Sequence, residues 1–514
     1  MTTTSDAIAS LVQREFDRLP NKRKPVVRDN GLHEWVPLSG IVAEDKKDGK
    51  LTCLALATGM KCLPSSKLPQ ARGNVLHDWH AEVLVIRAFN CFVLDECRAL
   101  ASGVKTSSQF ITRRDGAEEV APRCDSSGGD MNWHGQPFTW RDHVKLHMYC
   151  SEAPCGDASM ELTMASQEDA TPWTIPAPPD QESLSSSITT NSNLLDAEAL
   201  LPGRAYFSQL GIVRRKPSRG DAPATLSKSC SDKLSLHQCT SLLSSPASLL
   251  VSPEHAYITT LILPTSQYSA SGCTRAFSDG QSEDADDNND TTDPQQQARM
   301  APLATQRNNW NPGGGYAFHP FAVKTTDIEF AFSRRRALTL TPSATPESSN
   351  PSPQFTSTSN PNPKITPSNL AVARTASNRE ESTLNGVLQG HKAAQATPRG
   401  ASFASRRRIW GLAVEIANLL DPSSPSPSPS PSPSPSPKIQ HIQRALGIPP
   451  SSSPNTTKEE TEAETETTTI TKTYQDLKST PLLEPRRRAK QAARELALKG
   501  WVRNVGDEDF APDF

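Results

Sequence analysis

Short stretches with a regular pattern of apolar and polar residues alternate with long stretches that have none. Residues 35–43 and 51–58 predict two strands, because the charged, glycine-containing stretch between them is typical of a hairpin turn. Residues 145–150 alternate in the manner of a strand, and residues 257–263 (YITTLIL) predict a further strand.

Other segments favour helices. Residues 81–94 (AEVLVIRAFNCFVL) are apolar almost all round and too long for a typical strand, which indicates a helix buried on most faces. Residues 157–165, 406–420 and 484–499 are also compatible with helices. The order of strands and helices predicts an α/β fold, in which helices layer a sheet.

The composition indicates that much of the chain is not packed core. Among 514 residues there are 44 prolines, 35% hydrophobic residues and 6% aromatic residues. A chain of this kind buries too little apolar surface in its polar stretches to offset the cost of ordering them. We expect an N-terminal segment, 1–34, and one main domain, 35–514, with disordered, low-complexity insertions. The insertions are predicted at about 166–193, 278–307, 340–402 and 421–468.

Net charge and cysteine usage bear on the partners of the protein and on its cellular location. The net charge of −2 gives no whole-chain evidence for a nucleic-acid partner, so any such surface must be local. The ten cysteines are scattered along the chain, which is typical of reduced thiols. The first 25 residues lack the apolar run of a signal peptide, and no apolar stretch reaches 18 residues. We therefore expect no membrane segment and an intracellular location, in the nucleus, the cytoplasm or both.

Three short motifs are compatible with one metal site. His80, Cys155 and Cys230 supply an imidazole and two thiols, which are zinc ligands. A catalytic zinc usually takes three protein ligands and keeps its fourth position for water. Glu82 is then left free to move protons.

Helix geometry limits where this metal can lie. Residues two apart on a helix point about 200° away from each other, so His80 and Glu82 cannot share a helix face. The metal must lie over the N-terminal end of the helix, where the dipole favours negative charge. The same argument places Cys155 at the start of a second helix. Cys124 and Cys150 remain alternative choices for the second ligand.

The motif spacing resembles that of zinc-dependent nucleobase deaminases. Compact cytidine and bacterial tRNA deaminases have Pro-Cys-x-x-Cys, but Ala158 stands at the second cysteine position here, and the next suitable cysteine is Cys230. This split pattern is similar to that of the eukaryotic adenosine deaminases that act on RNA and tRNA. Residues 58–63 (TGMKCL), residues 214–221 (RRKPSRGD) and Trp501 extend the resemblance over about 35–510.

The resemblance implies a fold, a reaction and a substrate. The fold would be a cytidine-deaminase-like sheet layered with helices. Only 79 residues precede His80, which leaves no room for the double-stranded-RNA-binding modules of the RNA editors. The chain is therefore most similar to the tRNA-specific branch, which converts the adenosine immediately 3′ of the anticodon (position 37) of alanine tRNA to inosine. Zinc would activate water for attack on the ring carbon that bears the amine, and Glu82 would move the protons.

The resemblance also implies ligands for RNA and for a polyphosphate. The best local candidates for RNA contact are Arg214, Arg215, Lys216 and Arg219, and Lys61 would line the substrate entrance by analogy. Deaminases of this RNA-editing family hold an inositol hexakisphosphate in the core. The matching positions are Arg87, Lys233, Tyr474, Lys478 and Trp501, with Asp78 linking them toward the metal site.

Two alternatives stay open at this point. One is an adenosine deaminase that acts on another RNA. The other is a catalytically silent, zinc-stabilised RNA-binding protein. Glu82 argues against the silent protein, because a structural zinc site closes its fourth position and needs no free carboxylate. Protein partners are not predicted.

Overall fold

The computed structural model describes residues 3–114, 133–167, 171, 207–216, 222–281, 297–305, 310, 312–340, 365–421, 436–449 and 472–512. The strands are β1 (His33–Trp35), β2 (Leu38–Asp45), β3 (Leu51–Thr58), β4 (Ile111–Arg113), β5 (Phe138–Trp140), β6 (Val144–Cys150), β7 (Val251–Ser252), β8 (Ile258–Pro264), β9 (Ala322–Thr326), β10 (Ile365–Pro367), β11 (Leu370–Thr375), β12 (Glu380–Leu384) and β13 (Val387–Leu388). The helices are α1 (Thr4–Asp17), α2 (Ala81–Ala101), α3 (Met160–Ala165), α4 (Cys230–Thr240), α5 (Ser245–Leu250), α6 (Ala270–Phe277), α7 (Ala301–Thr305), α8 (Arg334–Leu340), α9 (Arg406–Leu419), α10 (Pro437–Leu446), α11 (Tyr474–Ser479) and α12 (Glu484–Leu496). In this described part, no helix is long and apolar enough to cross a membrane.

An eight-stranded sheet organises the molecule, in the order β13-β12-β11-β3-β2-β6-β8-β9. The strands from β13 to β6 pair in antiparallel fashion, whereas β6, β8 and β9 are parallel. The predicted hairpin is confirmed as β2 and β3, which pair directly. The predicted α/β fold is confirmed as well.

Helix α2 covers one face of this sheet. Its buried Leu84, Val85 and Phe89 belong to the same core as Ile41 and Ala43 of β2. These two strand residues are separated by one position, so both point to the same face. Helix α2 is apolar on most faces because it lies between the sheet and other helices.

Helix α1 covers the opposite face and was not predicted from the sequence. Its Val12 and Phe16 are fully buried with Val42 of β2 and Leu56 of β3. Gly40 permits the close approach, because a Cβ there would lie 2.5 Å from the Val12 side chain. The apolar residues Ile8, Leu11, Val12 and Phe16 recur at helical spacing behind a Thr3 cap, so the sequence carries a helical signal here that the prediction of a separate N-terminal segment missed.

The prediction of an insertion at 340–402 is wrong for residues 365–402. These residues form β10 to β13, and β11 extends the main sheet by pairing with β3. Strands β11 and β12 are rich in alanine, serine, threonine and charged residues, so composition hid them. Helices α7 and α10 likewise lie within the predicted insertions 278–307 and 421–468. Residues 172–193, 282–296, 341–364, 422–435 and 451–468 of the predicted insertions lie outside the described residues.

Candidate active site

His80 stands at the N-terminal end of α2 and is oriented by Asp78. The His80 Nδ1 lies 2.9 Å from Asp78 Oδ1, and the His80 backbone N–H donates to the same oxygen over 3.0 Å. Because Nδ1 is engaged, Nε2 is the ring nitrogen that remains for a metal. Burial and Lys216 lower the pKa of His80, but Asp78 and Cys62 outweigh them and raise it to about 10. A metal ion would therefore displace a proton from this ring.

Asp78 is the centre of a buried hydrogen-bond network. Its Oδ2 accepts hydrogen bonds from Lys216 Nζ over 2.9 Å, from Ser227 Oγ over 2.5 Å, and from Lys233 Nζ. Burial alone would raise the pKa of Asp78, but Lys216, Lys233 and His80 hold it well below its ordinary value. The carboxylate is thus ionised and fully bonded, as expected for a group that orients a metal ligand.

The two cysteines lie on neighbouring loops. Cys155 follows strand β6, and Cys230 is the first residue of α4, whose N-terminus is capped by Ser229. The Cys230 backbone N–H donates to Cys155 Sγ over 3.3 Å, and the Ser231 backbone N–H donates to the Cys155 carbonyl over 3.0 Å. The sequence-predicted pair is therefore brought together directly.

The electrostatics of the two thiols fit a cation. Cys230 is fully buried, and burial together with neighbouring Cys155 raises its pKa well above the ordinary value. Lys216 Nζ opposes this effect from 3.2 Å away. Two thiolates side by side in the interior are costly unless a cation lies between them. Two thiols and an imidazole are the donor set that Zn²⁺ prefers.

Glu82 lies within electrostatic reach of His80 and Cys155, two of the predicted zinc ligands. It is the second residue of α2 and is 6% exposed. Burial, followed by the charge of Cys155, raises its pKa, whereas His80 and Lys216 oppose the rise. A carboxylate whose pKa is raised binds a proton more readily than an ordinary glutamate does, which suits a general base.

A second grouping shares His80 with the predicted site. In the described part of the chain, the ligand atoms of Cys62, Asp78 and His80 lie within 4.8 Å of one another. Cys62 Sγ is 3.6 Å from His80 Nδ1. These atoms lie closer together than those of His80, Cys155 and Cys230, which form no such group among the described residues. A metal at Nδ1 would, however, displace the Asp78 carboxylate, whose two oxygens already accept hydrogen bonds.

Two side chains of the predicted RNA-contacting loop are buried and not exposed at the surface. Arg214 and Lys216 are 2% and 5% exposed, so the prediction that they meet phosphates at the surface is wrong. The Lys216 side chain points to Asp78 and Cys230, inside the site. Arg215 is half-buried, and Arg219 lies outside the described residues, as does Cys124. The sequence shows that this loop is basic, but it does not show which of its side chains face inward.

Two other residues lie at the edge of the site. Lys61 is half-buried, donates a hydrogen bond to the Asn369 side chain, and its carbonyl accepts the Trp79 N–H over 3.0 Å. On the Cys155 side, Glu152 Oε1 accepts the backbone N–H of Arg334 over 2.9 Å. Helix α8, with its exposed arginines, therefore begins beside the loop that carries Cys155.

A cavity of about 180 Å³ lies behind the site. Its walls include Glu82, Cys230, Arg87, Lys233, His237 and Arg486. Two of the five residues predicted to bind a polyphosphate, Arg87 and Lys233, thus line one space. Burial lowers the pKa of Arg87, and Arg406 adds to that effect.

The C-terminal helix α12 adds cations to this region. Arg486, Lys490 and Arg494 are four residues apart on α12, so they share one face. Burial, followed by the charges of Arg494, Arg486 and Lys478, lowers the pKa of Lys490 well below its ordinary value. The spacing of four residues was the signal in the sequence that could have identified this face.

The remaining predicted polyphosphate ligands lie around the same helix. Trp501 lies under both Lys228 Nζ and the Arg494 guanidinium, at 5.6 and 5.4 Å from the ring centroid. Burial and neighbouring Lys233 lower the pKa of Lys228 to about 7. Lys478 lies over the Tyr474 ring, which itself stacks on an aromatic neighbour. The charged groups repel one another and would be stabilised by an anion.

Comparisons with known proteins identify the family of the chain. Residues 55–287 match the family model of the adenosine-deaminase (editase) domain. The chain is 34% identical over 334 residues to tRNA-specific adenosine deaminase 1 of Schizosaccharomyces pombe, an alignment that covers 65% of this chain and 71% of that protein. It is 32% identical to the Saccharomyces cerevisiae protein of the same name and 28% identical to that of Drosophila melanogaster. Those two alignments cover 46% and 45% of this chain, and 53% and 48% of the relatives. The chain therefore belongs to the adenosine-deaminase (editase) family, in the group of eukaryotic tRNA-specific adenosine deaminases.

Proposed function

We propose that this adenosine deaminase converts adenosine to inosine in tRNA by zinc-dependent hydrolysis, at the adenosine immediately 3′ of the anticodon (position 37) of alanine tRNA. The observation that supports the chemistry best is the position of Glu82, a buried carboxyl group of raised pKa at the helix end that also carries His80. The names of the relatives support tRNA as the substrate. The choice of alanine tRNA and of position 37 follows from the resemblance described in the sequence analysis.

Each protein group has a distinct task in this proposal. His80, Cys155 and Cys230 would hold the zinc ion, and Asp78 would keep the His80 ring in the orientation that presents Nε2. Zinc, when bound, supplies Lewis acidity that makes water nucleophilic at neutral pH. Glu82 would take the proton released by that water, deliver it to the ring nitrogen next to the attacked carbon, and assist the departure of ammonia.

The test is substitution of Glu82 with a residue of the same shape. Glu82→Gln is expected to bind zinc as the wild type does but to form no measurable inosine in an alanine tRNA transcript, because glutamine cannot accept the proton. Glu96→Gln is the matched control: Glu96 is also a buried carboxyl on α2, but it bonds to Lys105 and Ser108 instead of facing the site. Substantial deamination by Glu82→Gln would refute the assignment.

The same assay separates the alternatives. Inosine at position 37 of alanine tRNA, and none in other purified tRNAs, supports the full proposal. Inosine only in a different RNA would keep the chemistry but change the substrate. Zinc binding without inosine in any RNA would favour a silent RNA-binding protein.

We also propose that exposed arginines beside the site contact the tRNA backbone. Arg334, Arg335 and Arg336 are all exposed on the first turn of α8, next to the loop that carries Cys155. Lys61 remains the candidate on the opposite side. Replacement of the three arginines with glutamine is expected to weaken tRNA binding and to flatten its salt dependence by about one unit of slope per lost phosphate contact. An unchanged salt slope would contradict this role.

Inositol hexakisphosphate is the proposed ligand of the basic interior. The support is the convergence of Lys228, Lys233, Arg486, Lys490 and Arg494 around the cavity and Trp501. Lys228 is buried and the other four are partly buried, and cations of this density need a multiply charged anion or a lowered pKa. The anion would bond Lys233, which also donates to Asp78, so it would stabilise the network that orients His80.

A native mass measurement on the folded, active protein tests this ligand. A mass increment that matches one inositol hexakisphosphate, lost in parallel with activity when Lys490 and Arg494 are replaced with methionine, is the expected result. Active protein without extra polyphosphate mass would overturn it.

A further inference from the structure

The two cysteine motifs repeat one local pattern. In Cys155-Gly156-Asp157 and in Cys230-Ser231-Asp232, an aspartate stands two residues after the cysteine. Both aspartates are completely buried. A buried carboxylate is expensive unless a cation and hydrogen bonds compensate for the lost water.

Arg275 of helix α6 provides that compensation for Asp157. Its Nε lies 3.0 Å from Asp157 Oδ2, and a terminal nitrogen donates to the Asp157 carbonyl over 3.1 Å. The other terminal nitrogen pairs with Glu161 over 2.7 Å. The Asp157 Oδ1 accepts the Gly211 N–H over 3.0 Å. The guanidinium, 1% exposed, thus fixes both the side chain and the backbone of the Cys155 loop.

Arg299 does the same for Asp232. One terminal nitrogen lies 2.6 Å from Asp232 Oδ1, and the other donates to Ser235 Oγ over 2.8 Å. The Asp232 Oδ2 accepts hydrogen bonds from Ser229 Oγ over 2.6 Å and from the Arg214 N–H over 2.9 Å. Both oxygens of this carboxylate are therefore bonded, which fixes Asp232 in the first turn of α4, the turn that begins with Cys230.

The two arginines are themselves connected. The Arg299 backbone N–H donates to the Arg275 carbonyl over 3.1 Å, and Arg299 Nε donates to the Ala276 carbonyl over 3.0 Å. On the other side, the Cys230 N–H donates to Cys155 Sγ. The contacts therefore form a closed ring. Asp157 is joined to Asp232 through Arg275 and Arg299, and Cys155 is joined directly to Cys230.

We infer that Arg275 and Arg299 are positioning residues for deamination, which set the separation and direction of the Cys155 and Cys230 sulfurs by holding Asp157 and Asp232. This inference rests on the proposed zinc site. Zinc needs its ligands within about 0.2 Å of their preferred distances, so a small shift of either loop would weaken the metal and alter its Lewis acidity. Replacing one partner of a buried ion pair leaves a charge uncompensated, which makes such a shift the expected response.

The test uses protein in which cobalt replaces zinc, because its visible spectrum reports the number and geometry of thiolate ligands. Arg275→Met and Arg299→Met are each expected to alter the thiolate-to-cobalt bands and to weaken metal binding about 10- to 100-fold. The kcat for a tRNA substrate should fall while its KM changes little, since neither arginine lies at a surface that meets RNA.

Arg379→Met is the matched control. Arg379 makes a two-pronged pair with Asp95, at 2.6 Å for each bond, and Asp95 lies about 20 Å along α2 from His80. The Arg379 side chain is 30% exposed, so this variant should lose less stability than Arg275→Met and Arg299→Met, and it should keep the wild-type cobalt spectrum and metal affinity. Equal behaviour of all three variants would overturn the inference, because it would show that the two arginines act on stability alone.

Conservative variants keep the inference testable if the methionine variants do not fold. Arg275→Lys and Arg299→Lys retain the charge, but lysine cannot bridge the same acceptors. They are expected to fold and still to show a shifted cobalt spectrum with partial activity, and a wild-type spectrum in both would contradict the inference. The wild-type protein tests the zinc site itself. If the intensity of its thiolate-to-cobalt bands corresponds to fewer than two thiolates, the proposed zinc site is wrong, whatever the arginines do.

Discussion

Replacement of Lys216 with methionine separates a role inside the site from a role in RNA contact. Lys216 Nζ donates to Asp78 Oδ2 over 2.9 Å and to Cys230 Sγ over 3.2 Å, and the residue is 5% exposed. Methionine has a similar volume and no charge, so the change removes both hydrogen bonds without a large cavity.

The expected magnitudes follow from these two contacts. A hydrogen bond that involves a charged group contributes about 1.5–3 kcal/mol, so loss of the donor to Cys230 should weaken zinc binding about 10- to 100-fold. Breaking a buried ion pair costs about 3–5 kcal/mol. Lys233 and Ser227 still donate to Asp78, so we expect the free energy of unfolding to fall by about 3 kcal/mol, at the low end of that range.

Zinc competition with a chelator and inosine formation on tRNA measure the effect. Lys233→Met is the control, because it removes a donor from the same Asp78 oxygen but none from Cys230. Its zinc affinity should change much less than that of Lys216→Met. A Lys216→Met protein with normal zinc affinity and a raised KM for tRNA would refute this reasoning and restore the RNA-contact role.

Further predictions concern pH, packing and the cysteine loop. Burial raises the pKa of Glu152 from 4.5 to about 7, so the cost of its charge to folding is absent below pH 4.5 and grows to about 3 kcal/mol above pH 7. Glu152→Gln should therefore be more stable than the wild type at pH 8 and equal to it at pH 4. Denaturant unfolding at both pH values measures this difference. Phe16→Ala should lower the free energy of unfolding by about 3–5 kcal/mol, because Phe16 is fully buried and packs edge-on against Phe330 at 5.0 Å; a loss below 1 kcal/mol would mean that α1 is not part of the folded core. Gly156→Ala should abolish zinc retention, since Gly156 has φ +106° and a Cβ would lie 2.3 Å from Ser229 Oγ; normal metal content in this variant would contradict the described loop packing.

The sequence predicted the parts of the fold whose patterns are strong. Strands β2 and β3 and helix α2 lie where alternation and continuous apolar character predicted them. Strands β11 and β12 were missed for different reasons. Strand β12 (EESTL) is polar and has no apolar signature, whereas the short apolar run of β11 (LAVART) lies in a long stretch of polar composition. Strand β11 pairs with β3, which is far away in sequence, and single-sequence patterns do not report such pairing.

The same limit applied to the site. The motif spacing singled out His80, Glu82, Cys155 and Cys230. The structure brings Cys155 and Cys230 into contact, and it links Cys230 through Lys216 to Asp78, the partner of His80. Lys216 was assigned to the surface, because a basic loop residue has the same sequence signal whether it faces water or a buried carboxylate. The buried partners that decide its direction come together only in the folded chain.

X-ray absorption at the zinc edge tests the central claim most directly, since it counts the ligands of the bound metal. Coordination by His80, Cys155 and Cys230 predicts two sulfurs at about 2.3 Å and one imidazole nitrogen at about 2.0–2.1 Å, with a light atom from water in the fourth position. Cys62→Ala should leave that spectrum unchanged. A single sulfur that disappears in Cys62→Ala would show that the metal binds at the Cys62, Asp78 and His80 grouping, and it would contradict the account.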